Sequence, residues 1–119
     1  MVGLAAQLPI GVGINVVHQG DTIFATWFTY GPGGRGQWIV MANGARTAPG
    51  TYAGTLYRTT GPAFNVTPWA GTVTVTEAGS GAFTFTDGDN GTFAYTVDGI
   101  SQAKAITRQV YASPVTVCR

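Results

Sequence analysis

Few side chains in this sequence could do chemistry: Arg58, Lys104, Arg108 and His18, all set in stretches that alternate apolar and small or polar residues. Arg58 shares its parity with Tyr52, Gly54 and Leu56. Arg108 lies two residues from both Ile106 and Val110, and Lys104 continues that row. His18 shares the parity of Ile14 and Val16. If the apolar residues of these rows face a common interior, the cations face it too. An interior cation must be hydrogen-bonded, paired or solvated. The five acids lie elsewhere, with Asp21, Asp87, Asp89 and Asp98 in turn sequences and Glu77 at a strand end. With no carboxylate in mid-strand, enclosed guanidinium groups would suit a carboxylate, phosphate or sulfate, which they bind in bidentate fashion. The opposite parity stays open. A single bulge would turn Ala103, Ala105 and Thr107 inward and leave the cations in water, their stems lying on apolar surface.

Trp27, Trp38, Tyr30 and Trp69 could stack on a sugar or another planar ligand, or could fill a core. Other motifs dissolve on inspection. Gly31-x-Gly33-x-x-Gly36 matches the dinucleotide-binding glycine pattern, but a strand follows it where a helix is required. Asp87-Gly88-Asp89-Asn90 begins like a calcium loop, yet Thr92 stands where the loop needs glycine. One histidine and one cysteine, Cys118, cannot build a nitrogen and sulfur metal site or an internal disulfide. A nucleophile-elbow pattern is absent, and a serine triad would have to use His18, beside which no serine is placed. Asn65-Val66-Thr67 and Asn90-Gly91-Thr92 fit the glycosylation sequon, which alone shows no modification. No cofactor is expected.

The elements that must position these residues are strands. A period of two dominates, and no stretch of helical length carries a 3.6-residue period. Glycine and Asn/Asp-Gly pairs divide the chain into strands at Ile14–His18, Thr22–Tyr30, Gln37–Ala42 (ended by Asn43-Gly44), Thr51–Thr59, Thr72–Glu77, Ala82–Thr86, Thr92–Val97 and Ile100–Tyr111. Ala78-Gly79-Ser80-Gly81, Asp87–Gly91 and Asp98-Gly99 read as turns, and residues 61–70 as the longest loop. About eight short strands on short connections predict one domain over 1–119, an all-β antiparallel up-and-down barrel, with a β-sandwich as the alternative. Closure removes the edges at which other chains would pair.

Alternation also assigns faces. Phe83 with Phe85, Phe93 with Tyr95 and Val97, and Val73 with Val75 each predict a buried row. Two strands are apolar on both sides. Ile23, Ala25 and Trp27 oppose Phe24, Phe28 and Tyr30, while Trp38 and Val40 oppose Ile39 and Met41. Such strands predict that a loop, the N-terminal segment or a second subunit covers the outer face, so a homo-oligomer is an expected partner.

The 119 residues suffice for a real core, since a domain near this size buries roughly two thirds of its unfolded surface. Only 9% of residues are charged, well below the usual quarter or so, and threonine, glycine and other small polar residues take their place. A net charge of +1 speaks against nucleic acid as a partner. No apolar run is long enough for a transmembrane segment of helical type, and no signal peptide is visible.

Three stretches carry a resemblance: His18-Gln19-Gly20-Asp21 leading into Phe24-Ala25-Thr26-Trp27-Phe28-Thr29-Tyr30; Gly54-Thr55-Leu56-Tyr57-Arg58-Thr59-Thr60-Gly61-Pro62; and Asn90-Gly91-Thr92-Phe93 with Lys104-Ala105-Ile106-Thr107-Arg108-Gln109. Across residues 11–111 the chain resembles an uncharacterised β domain of exported proteobacterial proteins. The resemblance implies an exported location but carries no catalytic residue. In that family the segment before the first strand usually carries tryptophans, whereas here Leu4–Gly13 has none. The function expected is a non-catalytic binding or surface-interaction module. A small anionic or aromatic ligand would meet Arg58, Arg108, Lys104, His18, Trp27, Trp38 and Tyr30 in the barrel or at its mouth. The alternatives are a small hydrolase of phosphate, sulfate or carboxylic esters, with His18 as general base, and a structural oligomeric repeat.

Overall fold

The computed structural model describes residues 2–6, 13–69, 71–109 and 113. Eight antiparallel strands follow one another around a closed barrel, each bonded to its sequence neighbours, with the last returning to the first. They are β1 Val2–Ala6, β2 Gly13–Gln19, β3 Thr22–Tyr30, β4 Gly36–Ala48, β5 Thr51–Thr60, β6 Thr74–Phe85, β7 Asn90–Val97 and β8 Ile100–Arg108. Threonine and aromatic residues favour the pleated conformation, and short glycine-bearing turns make each strand pair with the next. At Asp98-Gly99 both residues have positive φ, 51° and 80°, the pair of conformations that a two-residue hairpin of matching twist requires.

The expected number of strands is met by a different set. Thr72–Glu77 and Ala82–Thr86 are not two strands, because β6 runs unbroken through Ala78-Gly79-Ser80-Gly81. Its register slips there: Leu56 pairs with Gly79 but Tyr57 pairs with Glu77, so Ala78 is the extra residue of a bulge. Likewise Asn43-Gly44 does not end β4, which continues to Ala48 across an irregular register between Met41 and Ala45. The strand that restores the count to eight is β1, which the alternation did not predict. The expected end of the last strand at Tyr111 lies outside the described residues, as does Cys118.

The Ala78 bulge overturns one expected buried row. An extra residue moves everything before it to the other face of the sheet. Val73 and Val75 therefore point outward, 48% and 60% exposed, although Phe83 beyond the bulge is 1% exposed. The other rows lie as the alternation predicts. Ile14, Val16, Ile23, Trp27, Ile39, Met41, Leu56, Phe83, Phe93, Tyr95, Val97 and Ile106 fill the barrel. Phe83 and Phe93 stack with ring centroids 4.3 Å apart, and Trp27 stands edge-on to Phe93 at 5.1 Å. An eight-stranded barrel is just wide enough for side chains to fill it, and here they do.

Candidate functional site

A filled barrel leaves its two ends and its outer wall for function. The upper end carries the connections 31–35, 61–73 and Asp98-Gly99; the lower end carries Gly20-Asp21, Pro49-Gly50 and residues 86–89. Both arginines singled out in the sequence have inward parity, but they sit at opposite ends. The enclosed anion pocket that would combine Arg58 with Arg108 therefore does not form.

At the upper end, β5 presents Arg58 across the barrel mouth to the β7–β8 turn. Its Nη1 and Nη2 donate to the two carboxylate oxygens of Asp98 at 2.8 and 2.7 Å, and its Nε donates to Gln37 Oε1 at 3.0 Å. This fork-on-fork geometry is the strongest form of a carboxylate–guanidinium pair. Hydrogen bonds from Arg58, then its charge, hold Asp98 below the ordinary aspartate range. Asp98 in turn raises the Arg58 pKa, mainly through the same hydrogen bonds. Trp27, Tyr95, Gln102 and Lys104 help line a recess of about 270 Å³ beside this pair. The Tyr95 hydroxyl donates to Gln102 Oε1 at 2.7 Å along its lining.

At the lower end, His18 Nε2 and Tyr52 Oη are hydrogen-bonded at 3.2 Å, and their rings meet edge to face at 5.5 Å. With Val16, Ile23, Phe85 and Asp87 they border a second recess of about 270 Å³. The Asp87 carboxylate is occupied by its own turn. It accepts from the amides of Asp89 and Asn90 and from the Asn90 side chain, bonds that lower its pKa. Arg108 approaches Asp89 at 3.8 Å, and Arg46 approaches Asp21 at 3.3 Å. No serine borders the lower recess, and Nε2 of His18 is already engaged by Tyr52.

Arg46, Arg58 and Arg108 thus each meet an aspartate in a turn. Sequence parity placed the cations but missed these partners, because a turn residue belongs to no strand row. The usable signal was position: a hairpin tip lies at the mouth of the barrel, within reach of a long side chain at the end of another strand.

The aromatic candidates divide. Trp27 is 7% exposed and belongs to the core. Tyr30 and Trp38 lie on the outer wall, where Phe28 packs 5.0 Å from Trp38 and 6.1 Å from Tyr30. Among the described residues nothing covers this wall fully, since Trp38 remains 55% exposed. No cluster of three metal-ligating side chains occurs among the described residues, nor does any helix there have the length and apolarity to cross a membrane.

The Arg58–Asp98 pair has a measurable pH signature. A carboxyl whose folded pKa is depressed stabilises the fold above its unfolded pKa, near 3.9, and that contribution fades as pH falls through the folded value. Asn suits the same hairpin turn, so Asp98→Asn removes the charge without disturbing the backbone. In urea titrations the variant should be modestly less stable than the parent near neutrality and should converge with it in strong acid. Parallel curves at every pH would rule out a contribution from the pair.

Compared with family models, curated proteins and solved structures, the chain matches none.

Proposed function

We propose that this domain is a non-catalytic surface-interaction module, exported as the resemblance implies, which works through its exterior at the upper end rather than through the barrel interior. One observation carries the reading: aromatic side chains fill the barrel, while large apolar side chains are left in solvent around the upper rim. Phe64 is 94% exposed and Trp69 58%. Burial of such side chains is favourable by roughly 1.5–3 kcal/mol each, an incentive for a partner rather than for the isolated fold. The hydrolase alternative finds less support. His18 has no serine beside it, and Arg58 and Arg108 are each engaged by an aspartate at a different end.

The measurement is retention on a phenyl resin, with ligand-induced melting shifts as the counter-test. The parent should be retained, Phe64→Ser with Trp69→Ser should elute much earlier at an unchanged melting temperature, and sulfate or benzoate should leave that temperature unmoved. The lower recess, bordered by His18, Tyr52 and Phe85, is where a small aromatic ligand would fit instead. A melting temperature raised several degrees by benzoate, and no longer raised after His18→Ala, would replace the exterior reading with that one.

A further inference from the structure

The apolar residues at the surface are not spread evenly. Of the ten large apolar side chains exposed among the described residues, only Val17 and Phe24 lie toward the lower end. The other eight, among them Tyr30, Trp38, Phe64, Trp69, Val75 and Ile100, gather at or near the upper one. Their centre is the 61–73 connection. Pro62 lies against Gly71, a Cβ on which would be 3.2 Å from the Pro62 ring, so the base of the loop is closed, and beyond it Phe64 and Trp69 are exposed. Phe64 is the most exposed large apolar side chain described.

Charge follows the same polarity. From Thr59 to Thr76 the sequence holds no charged residue. The 31–35 connection adds Arg35 and no acid, and the one aspartate of the upper turns, Asp98, is neutralised by Arg58. The lower turns instead hold Asp21, Asp87 and Asp89. A rim that is apolar at its tip, ringed by Trp and Tyr, and without uncompensated acid in its turns, with the exposed Glu77 two residues beyond Val75 on β6, has the chemistry of the membrane–water interface. There Trp and Tyr rings sit at headgroup level and cations meet phosphates. A second copy of the chain fits less well. Dimer interfaces are broad, mutually complementary patches, whereas Phe64 stands almost wholly free of its own chain at 94% exposure.

Resting on the interaction-module reading above, we propose that the upper rim docks on a lipid bilayer surface, with Phe64 and Trp69 entering the headgroup–acyl boundary and Arg35 meeting lipid phosphate. The test is flotation of the full chain with vesicles of phosphatidylcholine, alone or mixed in equal parts with phosphatidylglycerol. The parent should float with both and more strongly with the mixture, and its tryptophan emission should shift to the blue. Phe64→Ser and Trp69→Ser should each lower the partition coefficient by about tenfold or more, the scale of one buried aromatic side chain. Arg35→Gln should lower it about fivefold, and on the mixed vesicles only. Both aromatic side chains are exposed, and unchanged near-ultraviolet circular dichroism would confirm that the variants fold. Failure of the parent to float, or flotation indifferent to both aromatic substitutions, would overturn the lipid proposal. Phenyl-resin retention that survives such a failure would keep the interaction module and turn the search to a protein partner or a second copy; loss of both would end both readings.

Discussion

Gly79→Ala should unfold the domain more readily than any other single-methyl substitution in β6, lowering the free energy of unfolding by about 4 kcal/mol or more. Two costs combine. The backbone at Gly79 has φ +154°, a region that side chains avoid and that costs about 1–3 kcal/mol to impose. A Cβ built there would also overlap the carbonyl oxygen of Thr96 on β7. That oxygen is backbone in the β6–β7 ladder, so it can yield only by breaking pairing. A whole domain is stable by only about 5–15 kcal/mol, so the loss is a large fraction of the total. The check is urea denaturation, where the midpoint should fall while the slope stays the same. Gly81→Ala is the control. Its Cβ would come 2.8 Å from Phe93 Cε1, the edge of a ring that can shift, and the cost should stay near 1–3 kcal/mol, as for a modestly overpacked core. Equal midpoints for Gly79→Ala and the parent would contradict the bulge on which the outward turn of Val73 and Val75 depends.

Phe93→Ala should cost about 3–5 kcal/mol, the range for removing a buried aromatic ring without full collapse of the space it leaves. Phe93 is 1% exposed and is the hub of the core. It stacks on Phe83 at 4.3 Å with rings 8° apart, meets Trp27 edge-on at 5.1 Å, and lies 5.2 Å from Tyr95. Its loss should also flatten the near-ultraviolet signal of Trp27, whose fixed orientation depends on that contact. The result bears on function. A barrel built to hold a ligand at its centre would lose little when one lining ring is trimmed, whereas a barrel filled by its own side chains loses a core residue. A penalty below about 1 kcal/mol would reopen the interior as a binding site.

A filled interior and paired mouth arginines shift the burden of function to what the fold leaves outside. Closing the barrel satisfies the strand edges, so partners cannot add a strand. The polarity of the surface then matters. Apolar area and uncharged sequence coincide at one end, while three of the four turn aspartates, Asp21, Asp87 and Asp89, lie at the other.

The sequence by itself determined the all-β class, the up-and-down order and the inward rows of Phe83 with Phe85 and of Phe93 with Tyr95 and Val97. Those follow from local alternation and from short hairpin turns, which leave a strand no neighbour but the next one. Tertiary structure alone decided three things. It showed that Ala78–Gly81 is a bulge rather than a turn, because glycine in a strand and glycine in a turn look alike until the partner strand fixes the register. It set Arg58 and Arg108 at opposite ends, each beside an aspartate of a turn, since parity gives the face of a side chain but not its height along the barrel. And it gathered Tyr30, Trp38, Phe64 and Trp69 on one rim, a convergence of three separate connections and strands that no spacing along the chain encodes.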